Sequence, residues 1–460
     1  MGPDYRKVEP VVPKHWQAGQ IPEAGLKPVL SPAEGPAGLE SLKNWWNSFG
    51  DAHLNHLMDQ ALAGNLDIKI ALARIEQARA ERRSTRAELF PTVNVKTGAQ
   101  HQENPFPGLA PGIRYNMFEL GFDALWEIDL FGRQQRRLEA ATADLEGATE
   151  EYRQSLVVLT AELARNYVDY RSLQNQLRIT RSNLESQQHT LTLTERLNAE
   201  GVGTRHDVIR ARAQAESTEA QIPALEGRMV AALRQLEVLV GRQPGALTVQ
   251  LNSAEAVPAA PGIEILTTPA ETIRHRPDLR VAERRLAAAT AMQGAAIAEL
   301  YPKISLSAFV GLRNTDLESL FKSAAFSYGT AANMLQPLLN FGRIRAGIDL
   351  ADAQQKEACL AFEKAVLEAL RETETALTRY LKEESRRQTL ARAVADLRES
   401  VRLSQLRYHE GVISFLDVLE SQRALYVDEI NLARSEAEAS TNLIAVYKAL
   451  GGGANAQPQP

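Results

Sequence analysis

The chain is poor in the features on which several protein classes depend. Its 460 residues include a single cysteine, Cys359, so neither an intrachain disulfide nor a cysteine-based zinc cluster can form. No run of about 18 apolar residues occurs, which excludes a single hydrophobic helix that spans a membrane. The 52 Lys and Arg residues are spread among 57 Asp and Glu residues, so no basic stripe exists and nucleic acid is not expected as a partner.

Enzyme motifs are absent as well. The chain contains no H-E-x-x-H, P-loop or G-x-S-x-G sequence, and we expect no enzymatic activity. His53 and His56 are close enough in sequence to bind one metal ion from a helix, but no third ligand is near, so we expect neither a metal nor another cofactor. The glycines at 451–453 follow a predicted helix end and favour a flexible exit over a phosphate-binding loop.

What the chain does contain is internal repetition. The stretch EGVGTRHDV at 200–208 returns as EGVISFLDV at 410–418, and FGR at 131–133 returns at 341–343, both after 210 residues. AELFPTV at 87–93 returns as AELYPKI at 298–304 after 211 residues. Matches spread over roughly 170 residues with a nearly constant shift indicate a tandem duplication of one long unit, well beyond the period of solenoid repeats.

Each predicted repeat begins with a helix and a β-hairpin. Helical runs end before Pro91 and Pro302, because a proline disfavours helix in the residue that precedes it. After each proline the apolar residues alternate with polar ones, as in strands with one apolar face. This pattern predicts β-hairpins over about 91–130 and about 302–340.

A long helical hairpin completes each repeat. The spans 134–199 and 344–409 contain no proline and predict long helices, each about 100 Å in length. The first carries apolar residues every seven positions, which is typical of a left-handed coiled-coil seam. Hairpin tips are predicted at 200–205 and 410–415, with return helices to about 241 and 450.

The two tips contain the residues that helix ends require. Gly201 and Gly411 stand where a helix C-terminus favours a left-handed residue. Thr204 with Asp207, and Ser414 with Asp417, have capping-box spacing, although Asp replaces the usual Glu or Gln. Helix capping is therefore the simplest interpretation of both aspartates.

The predicted organisation has five segments. They are an extended arm with an entry helix at 1–50, a first repeat at 51–248, a linker at 249–263, a second repeat at 264–451 and a flexible tail at 452–460.

Four amphipathic strands raise a physical problem, because they are too few to close a barrel. An open sheet edge that faces lipid would leave backbone donors unsatisfied, at several kcal/mol each. Either helices cover a soluble sheet, or several chains share the sheet. We favour a mainly α-helical fold with a membrane β part, in which several subunits share one barrel continued by a tube of long helices. The alternative is a soluble or peripheral coiled-coil scaffold or adaptor protein.

Several stretches carry a family resemblance. These are HRPDLRVAERRLAAATA (275–291), AELYPKISL (298–306), WEIDLFGR (126–133), RYHEGVISFLDVLESQRAL (407–425) and VYKALGGG (446–453). In this order they resemble the TolC/OprM-like outer-membrane efflux protein family, in particular the lipoprotein subgroup of RND-type tripartite efflux systems. The match extends over nearly the whole chain.

The resemblance implies an architecture, a location and partners. It implies a homotrimer whose four strands per chain form a 12-stranded β-barrel in the lipid of the outer membrane of a Gram-negative bacterium. An α-helical barrel would cross the periplasm and dock to a periplasmic adaptor (membrane fusion) protein and an inner-membrane RND-type pump. The expected function is the efflux of drugs or other toxic compounds to the exterior, and hence antibiotic resistance, with a gate at the periplasmic helical tips. The cargo remains open between antibiotics, metal ions and exported polypeptide.

The resemblance also suggests a pore gate. Family members close their periplasmic end just after the second tip, at positions that correspond to Leu416, Asp417 and Glu420, and Tyr408 corresponds to a tyrosine that helps to hold the tip closed. Leu416 and Glu420 share one helix face, so three copies would place an apolar ring near an acidic ring that attracts cations. A solvated helix face is the plain alternative for Glu420.

One departure from the family concerns the N-terminus. Lipoprotein members begin with a lipid-bearing cysteine shortly before a GPDY-like stretch, whereas Met1 precedes GPDY here. The expected cysteine is thus absent from this sequence, which leaves acylation of the native N-terminus open. We expect anchoring to be auxiliary, because a closed barrel already holds a protein in lipid.

Overall fold

The computed structural model describes residues 1–8, 10, 12–17, 42–103, 114–253, 256–259 and 268–455. Most of the predicted arm, the loop between the first two strands, part of the predicted linker and the end of the tail lie outside these residues. The fold is mainly helical, with one four-stranded sheet. In the described part of the chain, no helix combines the length and the apolar content needed to cross a membrane.

The elements follow one another along the chain as two similar series. The first series is α1 (Ala52–Gly64), α2 (Leu66–Ala87), β1 (Thr92–Glu103), β2 (Arg114–Ile128), α3 (Arg133–Ala199), α4 (Arg205–Glu219) and α5 (Gln221–Leu239). The second series is α6 (Pro269–His275), α7 (Pro277–Ala298), β3 (Lys303–Asn314), β4 (Phe326–Leu335), α8 (Arg343–His409) and α9 (Phe415–Ala449). A short 3₁₀ helix, Trp45–Phe49, precedes α1.

The helical run before the first hairpin is divided at Asn65. The Asn65 side chain donates to the Leu239 carbonyl (2.8 Å), and its Oδ1 accepts from the Ile68 N–H (3.1 Å), so it caps α2. Arg276 stands 211 residues later and divides α6 from α7, just before Pro277. The sequence interpretation missed the break at Asn65, although the adjacent Gly64 was a signal for it.

The first return helix is also divided. Its two parts, α4 and α5, meet at Ala220, and Pro223 lies in the first turn of α5. A proline is tolerated there because first-turn N–H groups have no intrahelical acceptor. The second return helix, α9, contains no proline and is continuous over 35 residues.

The sheet is an antiparallel array in the order β1-β2-β3-β4, with β1 and β4 at its edges. One cross-strand row joins Val95, Phe122, Val310 and Tyr328. This row belongs to an almost wholly apolar face: Val93, Val95, Phe118, Leu120, Phe122, Trp126, Ile304, Leu306, Val310, Leu312, Phe326, Tyr328 and Met334. Within the described residues, much of this face remains exposed.

The opposite face of the sheet is polar. The buried Glu119 carboxylate accepts from Lys96 (Nζ–Oε1 2.9 Å) and lies beside Arg313 (Nε–Oε2 3.4 Å). The Arg313 guanidinium lies 3.9 Å from the centre of the Phe309 ring. Salt bridges on one face and bare apolar side chains on the other make the sheet strongly amphipathic.

Two compact units contain the described residues. The unit formed by 1–9, 73–149 and 281–364 contains the sheet and a cluster of small residues, Ala140, Ala143, Ala287, Ala288 and Ala291. Their short side chains let α3 and α7 pack closely.

The unit formed by 10–72, 150–280 and 365–460 contains the larger hydrophobic core. The predicted seven-residue seam of α3 is buried there at Leu156, Leu163, Tyr170 and Leu177, and is only partly buried further along, at Leu184 and Leu191. The core therefore ends before the helix does.

A buried cation connects three helices of this unit. Arg276 is 6% exposed and donates to both oxygens of Asp278 (3.0 and 2.7 Å), to Glu372 (2.7 Å) and to the Ala449 carbonyl (2.7 Å). Burial lowers the pKa of Arg276, but the hydrogen bonds and charges of Asp278 and Glu372 outweigh it, and the net effect is a raised pKa. Arg276 therefore stays charged and holds α7, α8 and the end of α9 together.

We expect Arg276→Ala to lower the free energy of unfolding by about 2–4 kcal/mol, because two carboxylates and a carbonyl lose their shared donor. Thermal unfolding followed by the helical circular dichroism signal measures this effect. Arg402→Ala is the matched control, since its partner Glu399 is exposed on the same helix and we expect no change. Equal melting of the two variants would contradict the assigned role of Arg276.

Candidate functional site

Both helical hairpins turn through the same backbone motif. Gly201 and Gly411 have φ angles of 77° and 73°, in the left-handed region that a side chain disfavours. The following N–H groups reach back over the turn, from Val202 to the Leu197 carbonyl and from Val412 to the Arg407 carbonyl, both at 2.9 Å. This arrangement satisfies carbonyls at the ends of α3 and α8 and lets each chain reverse within a few residues.

The return helices begin with a cap at each tip. At the first tip, Thr204 Oγ1 accepts from the Asp207 N–H (3.2 Å) and donates to Asp207 Oδ2 (2.6 Å). At the second, the Ser414 N–H and hydroxyl both donate to Asp417 Oδ2 (2.9 and 2.8 Å). Each aspartate therefore fixes the start of its return helix, and the Asp417 carboxylate is held by the turn.

The second tip has a packed face and an open face. Phe415 and Val418 are buried, and the Phe415 ring lies 5.6 Å from the Tyr408 ring, which closes the hairpin internally. Leu416 and Glu420 are both exposed and lie four residues apart on α9, so they share the open face. The structure thus separates Leu416 and Glu420 from the buried side of the turn.

The two tips influence each other through Tyr408. Burial raises the pKa of the Tyr408 phenol, and the negative charge of Asp207, on the first tip, raises this pKa further. The phenol therefore stays neutral.

A groove of about 570 Å³ lies between the two hairpins. It is lined by side chains of α3, α8 and α9, among them His189, Tyr408, His409 and Phe415. A hydrogen bond from Gln422 to Thr190 (3.3 Å) joins α9 to α3 beside it. The sequence patterns did not predict this groove, because it depends on how two hairpins distant in sequence pack.

The two tips differ in chemistry at equivalent positions. His206 and Arg210 of the first tip occupy the places of Leu416 and Glu420, 210 residues earlier, and both are exposed. One open face is therefore basic and the other apolar and acidic.

The remaining sequence candidates do not form a site. His56 forms a hydrogen bond with the Gln60 side chain (2.7 Å). Throughout the part of the chain that the structure describes, no three His, Cys, Asp or Glu residues are placed to hold a metal ion together.

Comparisons with known proteins show what the chain is similar to. The sequence profile described as "Outer membrane efflux protein" matches residues 57–242 and 268–452, one segment in each predicted repeat. The toluene efflux pump outer membrane protein TtgI of Pseudomonas putida is 31% identical, over 98% of this chain and 94% of the relative. The pyoverdine export outer membrane protein OpmQ of Pseudomonas aeruginosa is 31% identical, over 92% of this chain and 90% of the relative.

A solved structure agrees with these sequence relatives. The outer-membrane channel OprN superposes with a TM-score of 0.91 and 34% sequence identity, and the match covers 99% of both chains. The similarity is therefore not confined to one domain.

We expect Asp417→Ala to destabilise the start of α9 by about 1 kcal/mol, the usual cost of losing a cap. Amide hydrogen exchange in peptides from 410–420 should then become roughly fivefold faster, since local opening follows this free energy. Asp207→Ala is the matched variant, and we expect it to accelerate exchange only around 200–210. Unchanged exchange at both tips would contradict the capping role.

Proposed function

The chain belongs to the outer membrane efflux protein family, and from this premise we propose how it works. It is an outer-membrane channel of a Gram-negative bacterium and forms the exit duct of a tripartite efflux pump. The family comparison carries this conclusion, because the matched regions include both hairpins and relatives align along nearly the whole chain. The members of the family are channels and not enzymes.

Three chains with four strands each would form the barrel of twelve strands. The support is chemical: the bare face with Phe122 and Tyr328 suits lipid, and the face with Lys96, Glu119 and Arg313 suits a water-filled lumen. The edges β1 and β4 are the places where neighbouring chains would pair. In the proposed homotrimer, α3 and α8, of 67 residues each, form the walls of the helical tunnel.

The organisation predicted from the sequence fits this assembly. We assign one repeat to 51–248 and a second to 264–451, joined by a linker at 249–263. The observed order of helix, hairpin, long helix and return helix supports the assignment, as does the equal length of the two long helices. Each chain would then supply two equivalent helical hairpins to the wall of the tunnel.

The gate is proposed at the second tip. Leu416 would narrow the closed pore with an apolar ring, and Glu420 would place an acidic ring one turn away. Both side chains are exposed on the open face of α9. Asp417 caps the helix and so fixes the direction of both, while the Tyr408 ring packs against Phe415 of the same tip.

The proposed partners are those of a tripartite pump. A periplasmic adaptor would meet the helical hairpins, and an inner-membrane pump of the RND type would deliver the cargo. The relatives' names refer to toluene and pyoverdine, two unrelated small molecules, so the class of exported toxic or secreted compounds is supported rather than one cargo. The scaffold alternative is not favoured, since it leaves the apolar sheet face without a role.

We expect Leu416→Ala to increase the single-channel conductance in planar lipid bilayers, because the apolar ring widens. Glu420→Gln should lower the preference for cations, because the size of the side chain is kept and its charge is lost.

The control variants are His206→Ala and Arg210→Ala at the equivalent positions of the first tip. We expect these controls to leave the closed-state conductance near the wild-type value. If Leu416→Ala and Glu420→Gln both behave like the wild type, the proposed gate is wrong.

A further inference from the structure

The FGR motif of the first repeat forms a partly buried set of contacts, called the clamp below. Arg133 is 13% exposed and donates to Glu299 (Nη1–Oε1 3.0 Å) and to Glu127 (Nη2–Oε1 2.6 Å). The Phe131 ring stacks on the Tyr301 ring, with centroids 4.9 Å apart. The clamp thus joins the FGR motif of the first repeat to the AELYP motif of the second.

Within the described residues, the FGR motif of the second repeat and the AELFP motif of the first do not form such a clamp with each other. Phe341 is 92% exposed, and Arg343 is exposed and forms no ion pair with the described residues. In the first repeat, Glu88 and Phe90 occupy the places of Glu299 and Tyr301, and they are 50% and 58% exposed. The nearest cation to Glu88 is Arg137, at 3.9 Å.

Contacts inside each proposed repeat follow the shifts that relate the two halves of the sequence. Trp126 Nε1 donates to the Leu89 carbonyl at 2.9 Å, and Gln336 Nε2 donates to the Leu300 carbonyl at 3.0 Å. These pairs are related by the same shifts of 210 and 211 residues that relate the motifs.

The strand registers obey the same shifts. Thr92 pairs with Leu125 in the first hairpin, and Lys303 pairs with Leu335 in the second, again 211 and 210 residues later. The one-residue difference therefore falls in the hairpin loops, and the map from one repeat to the other is defined residue by residue.

Among the described residues of one chain the clamp does not occur a second time, although the residues for a second clamp are present. We infer that a second copy of this chain supplies them, so that Arg343 pairs with Glu88 of the neighbouring copy and Phe341 stacks on its Phe90. The interface repeats the clamp of Arg133, Glu299, Phe131 and Tyr301 between subunits. The inference rests on the proposed oligomeric channel and specifies which residues would be in contact between its subunits.

The same map defines how the sheet continues from one subunit to the next. Phe122 of β2 faces Val310 of β3, and the shifts convert this pair into Ala332 of β4 opposite Ala99 of the neighbour's β1. Both alanines lie on the apolar face of the sheet, as a shared lipid-facing surface requires. A register displaced by one residue would continue the apolar face of one subunit into the polar face of the next.

Exposed apolar residues elsewhere on α2 and α8 agree with this interface. Leu350 is 60% exposed while its equivalent Ala140 is 4% exposed, and Leu367 is 66% exposed while Val157 is 2% exposed. On α2, Ile70 is 50% exposed, and its equivalent Val281 is 8% exposed. Positions that are buried where the two repeats meet inside one chain are therefore exposed at the equivalent positions on α2 and α8.

Disulfide cross-linking of the full-length protein tests the register. In a Cys359→Ala background, Ala99→Cys combined with Ala332→Cys should give a covalent trimer on oxidation in membranes, because facing residues lie about 4.5–5.5 Å apart. Thr97→Cys combined with Ala332→Cys is the control, and we expect it not to cross-link since diagonal neighbours are about 7–8 Å apart.

Charge exchange tests the clamp. We expect Arg343→Glu and Glu88→Arg, each alone, to cause loss of the trimer on native gels, and the double variant to restore it. Cross-linking at 99 and 332 together with this rescue supports the inference. A wild-type trimer overturns these contacts, but leaves the channel proposal, in either of two cases. The first is cross-linking only at positions 97 and 332, or at neither pair. The second is a double charge variant that does not restore the trimer. A wild-type protein that runs as a monomer overturns both the proposed contacts and the proposed channel.

Discussion

The unsatisfied edge of the sheet is the constraint on which the rest of the architecture depends. Backbone N–H and C=O groups need partners, and in lipid no water replaces them. One chain contributes strands β1 to β4, leaves β1 and β4 at the edges and exposes a wide apolar face. An oligomer that joins these edges satisfies the backbone and encloses a lumen in one step, so channel formation follows from closure of the sheet.

The proposed duplication would explain how one chain meets this constraint. The two series of elements share strand register, helix length and tip geometry, so one kind of contact would serve inside the chain and, in the proposed oligomer, between chains. The two tips differ at the positions that face outward. The tips carry Leu416 and Glu420 in one repeat and His206 and Arg210 in the other, on the same kind of capped turn.

Local patterns in the sequence were sufficient for most of the fold. Pro91 and Pro302 marked the helix ends, alternation marked the strands, and Gly201 and Gly411 marked the turns, because each of these signals acts on the nearby backbone. The break between α1 and α2 at Asn65 was not predicted, because the Asn65 amide that caps α2 also binds the Leu239 carbonyl, which is distant in sequence. The Arg276 network and the groove beside Tyr408 were not predicted for the same reason, since the residues that form each of them lie far apart in sequence. The exposed positions of Leu416 and Glu420 agree with the face predicted from their spacing, whereas their role in gating remains a prediction.

The number of chains in the native particle tests the central claim most directly. Native mass spectrometry of the full-length protein, released from detergent micelles, measures this number without reference to any single contact. The account predicts a particle of three chains that needs detergent to stay in solution. A detergent-free monomer that retains its β-sheet would contradict it, because the sheet would then be closed without neighbours.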